Sequence, residues 1–132
     1  MGYRSEVILG VKKGLEKKLD EVLIEHDLLQ EVTGSEMAFT KSEHNYRYKN
    51  FDAKTGDGSD WLDDKWIIYR ANWLKWYDGY KDVDAVTNVI DELSENDDVA
   101  FIVALGEDNT IHSETGVWWD YIDHVSELKI AG

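Results

Sequence analysis

The chain has 132 residues, of which 14 are Lys or Arg and 28 are Asp or Glu, and it contains no Cys and no Pro. Without Cys there is no disulfide framework, no thiolate nucleophile and no zinc–thiolate site, and without Pro the turns fall to Gly, Asn, Asp and Ser. With 42% hydrophobic and 12% aromatic residues, chain-wide disorder is excluded, and the length suits one globular domain with its own core.

Tyr3–Val11 reads as a strand, with Val7, Leu9 and Val11 on one face and Ile8 on the other. Two apolar faces predict a central place in a sheet. Residues 13–29 read as a helix, because Leu15, Leu19, Val22, Leu23 and Leu29 fall on one side at about 100° per residue, with His26 in the same stripe and Ile24 and Leu28 pointing elsewhere. Gly34 is the expected stop beyond it. Residues 36–49 alternate around Met37, Phe39, Tyr46 and Tyr48 and predict one or two short strands.

Asn50–Asp64, with Gly56, Gly58 and five acidic residues, reads as a loop. Lys65–Asn72 follows as a strand, with Ile67, Tyr69 and Ala71 on one face and Trp66 and Ile68 on the other. The aromatic run Trp73–Tyr80 ends at the turn signal Asp78-Gly79. Asp82–Glu95 is a helix with an apolar stripe of Val83, Val86, Val89, Ile90 and Leu93 and an opposite stripe of Asp84, Asn88, Asp91 and Glu95. Val99–Leu105 is a continuous apolar run of strand length and predicts a buried strand. Gly106–Asn109 turns the chain, and a last strand is expected near Val125–Ile130. The order β-α-β-β-α-β-β predicts an α+β fold: an antiparallel or mixed sheet with two helices on one face, a ferredoxin-like βαββαβ core plus an extra strand.

Charge divides the chain unevenly. The first 49 residues carry 8 basic and 9 acidic side chains, whereas residues 50–132 carry 6 basic and 19 acidic ones and all six Trp. Such a surface repels nucleic acid and anionic lipid and attracts basic partners, or serves solubility alone. No direct nucleic-acid binding is expected. No apolar stretch approaches the ~18 residues of a membrane span, and the start at Met1-Gly2-Tyr3-Arg4-Ser5 has neither a signal-peptide run nor a myristoylation pattern, so a cytoplasmic location is expected.

Motifs that carry chemistry are missing. The carboxylates Asp52, Asp57, Asp60, Asp63 and Asp64 are hard oxygen ligands, but an EF-hand register with Gly58 sixth puts Ala53 first and Thr55 third and loses both ligands. His112 and Glu114 with Asp120, Asp123 and His124 form the only grouping in which a transition-metal or acid–base cluster would assemble. No G-x-S-x-G occurs, and Gly10-Val11-Lys12-Lys13-Gly14 lacks the Walker A spacing and its Lys-Ser/Thr pair. The expectation is therefore no catalytic residue, no metal and no cofactor. Among the aromatics, strand alternation places Trp73 with Ile67 and Tyr69 in the core, while Trp76, Tyr77, Tyr80 and the Trp118-Trp119 pair are the candidate exposed anchors.

Three segments, Met1-Gly2-Tyr3-Arg4-Ser5-Glu6-Val7, Trp73-Leu74-Lys75-Trp76-Tyr77-Asp78-Gly79-Tyr80 and Gly106-Glu107-Asp108, resemble in sequence and order a group of small proteins from tailed bacteriophages and prophages. The resemblance carries over no catalytic residue. It implies an accessory protein made in the cytoplasm of a bacterial host, of a kind that binds host proteins. Together with the charge, it predicts a non-enzymatic protein that meets a basic surface of a host protein through Asp84, Asp91 and Glu95, with Trp76, Tyr77 and Tyr80 as a competing aromatic patch, and nucleic-acid mimicry as one form of the encounter. The alternatives are a small-molecule module built on Trp and carboxylates, and a small enzyme of unrecognised class.

Overall fold

The computed structural model describes the backbone of residues 4–52, 57–77, 79–95, 99–106, 111–116, 122–124 and 128–130. Strand β1 (Ser5–Lys12) leads into helix α1 (Lys17–Glu25) and the single turn α2 (Gln30–Thr33), then strands β2 (Thr40–Asp52) and β3 (Asp57–Leu74), helix α3 (Lys81–Ser94), and strands β4 (Ala100–Gly106), β5 (Ile111–Thr115), β6 (Ile122–His124) and β7 (Leu128–Ile130). Five strands form one sheet in the order β2-β3-β1-β4-β5, antiparallel at every junction, and β6 and β7 pair separately. Reading β2-β3-β1-β4 gives the ferredoxin-like βαββαβ order, and the strand added at the β4 edge is β5, not the strand expected near Val125–Ile130, of which Leu128–Ile130 forms β7 and pairs with β6.

The central strands β1, β3 and β4 are apolar on both faces. Val7, Leu9, Val11, Ile67, Tyr69, Ala71, Ile102 and Ala104 form one cluster with Leu19, Val22 and Leu23 of α1 and Val83, Val86 and Ile90 of α3, so both helices lie on that face. Ile8, Trp66, Ile68, Phe101, Val103 and Leu105 form a second buried cluster on the other face. Here the Trp66 and Phe101 rings lie 5.3 Å apart, and Phe101 occupies the space that a side chain at Gly10 would need.

The first helix is shorter than its apolar stripe suggests. Asp27 adopts φ 56°, the Leu28 amide donates to the Leu23 carbonyl at 2.8 Å, and the Asp27 amide donates to that of Ile24 at 3.2 Å. This is a Schellman ending, in which a left-handed residue stops the helix and folds the next apolar residue back on it. Asp tolerates that conformation better than most residues. Leu28 is consequently buried, while Leu15 lies ahead of the helix and is 44% exposed. The Phe39 amide then donates to the Leu28 carbonyl at 2.7 Å and the Phe39 carbonyl accepts the Gln30 amide at 2.8 Å, forming a bridge between Leu29 and Phe39, and Gly34 at φ 72° ends α2 as the sequence anticipates.

The expected loop over Asn50–Asp64 is instead mostly strand. β2 and β3 pair from Thr40↔Arg70 out to Asp52↔Asp57, well past the Trp66 position where the pairing of β3 with β1 begins. A two-stranded ribbon that outruns its sheet has no packed layer to demand an apolar face, so its acidic sequence shows no strand periodicity. Residues 53–56, between the two strands, lie outside the described residues.

Candidate functional site

The outer face of α3 follows directly from its sequence period. With Val83, Val86 and Ile90 buried against the sheet, Asp84, Asn88, Asp91, Glu92 and Glu95 are exposed. Asp82 and Asp84 stand in the first turn, where carboxylates complement the positive end of the helix dipole. Asp84 also accepts the amide of Gly79 at 3.1 Å and so ties down the entry turn, while Asp82 accepts the Val83 amide at 2.8 Å. Tyr80 precedes the helix in an extended conformation.

The opposite end breaks the usual rule. The last turn of α3 holds no basic residue, and Asp91, Glu92 and Glu95 crowd the end where free carbonyls carry partial negative charge. Glu92 is relieved by Lys18 of α1, 2.8 Å away, which links the two helices across their exposed seam. Asp91 and Glu95 form no ion pair among the described residues. Glu21 and Glu25 of α1 are exposed as well, so the helical layer presents a mainly acidic surface.

The aromatic candidates separate. Tyr80 is 47% exposed and Tyr77 half-buried, and their rings meet edge to face at 5.3 Å. Trp76, expected at the surface, is 3% exposed and packs edge to face with Phe39 at 5.9 Å. A β-bulge explains the correction. Ser5 and Val7, two positions apart in β1, pair with Leu74 and Ala71, three apart in β3, so β3 holds one extra residue. The insertion reverses the alternation beyond Ala71 and turns Leu74 and Trp76 toward the helices with Ile67 and Tyr69. The buried Trp76 Nε1 has no hydrogen-bond partner among the described residues. The side chains of Trp61, Trp73, Trp118, Trp119, His112 and His124 lie outside the described residues, as do those of Asp52, Asp57, Asp60, Asp63 and Asp123 and the whole of Asp120. Asp64 is half-buried and lies 3.8 Å from Lys12. No group of three or more His, Asp or Glu able to hold a metal occurs among the described residues, and no helix among them is long and apolar enough to cross a membrane.

A polar cluster that sequence reasoning missed lies between α1 and the sheet. The Tyr69 hydroxyl donates to Asp20 Oδ1 at 2.5 Å, Lys41 Nζ donates to Asp20 Oδ2 at 2.8 Å, and the Lys41 ammonium stands 5.9 Å from the Tyr69 ring centroid. Burial first, then the Asp20 hydrogen bond, raise the Tyr69 phenol far above its ordinary value. A phenol held neutral and donating is a structural pin, not an activated base. The signal was present as Asp20 two residues from the apolar Val22, but only the fold reveals its partners.

No protein-family model matches this chain, and no curated protein does. Among solved structures, it is similar to a phage SAM lyase in complex with S-methyl-5'-thioadenosine, with a TM-score of 0.46 and 11% identity over 90% of this chain and 94% of that one. At that distance nothing about ligand or activity transfers.

Proposed function

We propose that this protein is a non-enzymatic binding protein that docks the acidic outer face of α3 on a basic surface of a protein partner. The observation that carries the reading is the last turn of α3. Asp91 and Glu95 are exposed and without a counter-ion among the described residues, at the helix end that disfavours negative charge. Charges in such positions typically cost a helix about 0.3–1 kcal/mol each, so stability does not account for them, whereas recognition of a basic surface does. The net charge of −14 reinforces the same field over longer range. The resemblance of the Met1–Val7, Trp73–Tyr80 and Gly106–Asp108 segments to phage proteins supports a partner in a bacterial host cytoplasm, and ordered carboxylates along one helix are compatible with competition for a nucleic-acid groove. With Trp76 in the core, an aromatic anchor would rest on Tyr77 and Tyr80 alone, and the small-molecule reading loses one of its indoles.

The test uses Asp91→Lys combined with Glu95→Lys, because Asp84 also holds the Gly79 amide and its replacement would disturb the entry turn. Pull-downs from bacterial lysate at low and high salt, with bound proteins identified, are compared between wild type and variant. The reading expects basic proteins held by wild type, released by salt and lost by tenfold or more in the variant. The same variant should melt at an equal or higher temperature, since Lys suits the C-terminal turn. Identical captures by both proteins would reduce the acidic face to a solubility device.

A further inference from the structure

The two edges of the five-stranded sheet are built differently. β5 has 5 residues, and its register shifts opposite Ala104 and Leu105. A short, bulged strand is one of the ways in which an edge is kept from pairing further. β2, at the opposite edge, has 13 residues and runs against β3 without a shift from Thr40 to Asn50. Short of the Lys12↔Trp66 pair, where the contact with β1 begins, β3 pairs with β2 alone among the described residues. A two-stranded ribbon of this kind is marginal by itself, and further strands are what support it.

Backbone direction decides which residues of β2 would meet an added strand. The Phe39 amide and carbonyl bond Leu28 and Gln30, on the side away from β3. Every second residue of a strand repeats that direction. The backbone groups of Lys41, Glu43, Asn45, Arg47 and Lys49 therefore line the outer edge, and those of the residues between them turn toward β3. β2 also departs from the acidic character of the chain, with three basic side chains (Lys41, Arg47, Lys49) against two acidic ones (Glu43, Asp52). This edge thus escapes the self-repulsion that a net charge of −14 imposes elsewhere.

We propose that β2 pairs antiparallel with β2 of a second copy of this chain, about a two-fold axis at Tyr46. Charge selects both the partner and the register. Outward residues must face outward residues, and symmetry repeats every contact. An axis at His44 opposes Lys41 to Arg47, and one at Asn45 opposes Lys41 to Lys49. An axis at Arg47 sets that residue against itself, and one at Tyr48 opposes Arg47 to Lys49. Like charges directly opposite destabilise a sheet. An axis at Tyr46 opposes Glu43 to Lys49 and Asn45 to Arg47, and no like charges meet. It also sets His44 opposite Tyr48 and Tyr46 opposite its own copy, in the non-hydrogen-bonded positions where side chains come closest. His44 and Tyr46 already stack at 6.2 Å within one copy. The ribbon of each copy would lie along the part of β2 that the other copy's sheet supports, which supplies the missing strands.

The proposal is independent of the acidic face, since α3 packs against β4 and β5 at the other end of the sheet. Sedimentation velocity and light scattering follow the mass of the whole chain from micromolar to millimolar concentration. Wild type should pass from monomer to dimer. Arg47→Pro removes an outward N–H that β3 does not use, so it should leave the fold intact by far-UV circular dichroism and the chain monomeric. Glu43→Lys and Lys49→Glu should each weaken dimerisation tenfold or more, by opposing like charges twice. Mixing these two variants should restore a dimer, because each Lys then meets a Glu of the other chain. Positions 43 and 49 stand about 20 Å apart along one strand, so the restoration cannot arise within a chain. Glu43→Lys also loses the ion pair with Lys13, but that loss is present alone and in the mixture alike. A wild type that stays monomeric at millimolar concentration overturns the proposal, as does a dimer indifferent to Arg47→Pro or a mixture no heavier than its parts. A monomeric wild type that captures a lysate protein which Arg47→Pro loses would give the edge to a foreign strand and refute the homodimer.

Discussion

Replacing Gly10 by Ala puts two effects of opposite sign in competition. Gly10 does not have a positive φ, so its backbone accepts Ala, and removing a glycine from the unfolded ensemble ordinarily stabilises by about 0.4–1 kcal/mol. The packing opposes this. A Cβ on Gly10 would lie 2.2 Å from both Cε2 and Cζ of Phe101 and 2.8 Å from its Cδ2. Carbon atoms rest about 3.5–4.0 Å apart, so the ring would have to retreat by more than about 1 Å. Phe101 is fully buried, and Trp66, also fully buried, lies 5.3 Å away across the rings. Forcing an extra methyl into such a core costs about 1–3 kcal/mol. The net expectation is a loss of about 1–2 kcal/mol, or about 3–8 °C in melting temperature for a domain of this size. Thermal and urea unfolding followed by circular dichroism measure it. A second variant isolates the cause: Phe101→Leu should cost less in the Gly10→Ala background than in wild type, because the two changes share one contact. A Gly10→Ala protein that melts at or above the wild-type temperature would refute the close packing of ring on glycine.

Two further predictions come from the other face of the sheet. Trp76→Ala should cost about 3–5 kcal/mol, as core Trp truncations do, and Trp76→Phe much less, because the indole N–H has no described partner to lose. A Trp76→Ala protein with unchanged stability would return this residue to the surface. Tyr69→Phe should cost about 1–2 kcal/mol through the lost bond to Asp20, measured by urea unfolding. The pH dependence follows from the phenols. Burial, helped by Asp64, pushes Tyr46 up to about 12, and Tyr69 is raised further. An unfolded phenol ionises near ~10, so above that pH the unfolded state releases protons that the native state keeps. Stability from these groups is complete below about pH 10 and falls as pH climbs through the folded values. Absorbance at 295 nm should show phenols that ionise only as the protein unfolds, and Tyr69→Phe should lessen the alkaline decline. Full phenol ionisation in a still-folded protein would contradict both shifts.

The strands β1 and β4, the helix α3 and the βαββαβ order of the core were legible in the sequence, because burial against a sheet imposes a period that survives in one dimension. The acidic stripe at Asp84, Asp91 and Glu95 was legible for the same reason: it is the complement of the apolar one on a single helix. Features that depend on a neighbour were not. One extra residue in β3 relative to β1 sent Trp76 inward. The left-handed Asp27 shortened α1 and turned Leu28 into the core. The edge strand β5 carries no apolar run long enough to announce itself, and it exists through its pairing with β4. The polar cluster of Asp20, Tyr69 and Lys41 joins residues from three elements, and only the fold brings them together. What lies on one element is set by the local spacing of side chains. What lies between elements is set by register and bulges, through hydrogen bonds that every residue type makes alike, and those leave no trace in side-chain identity.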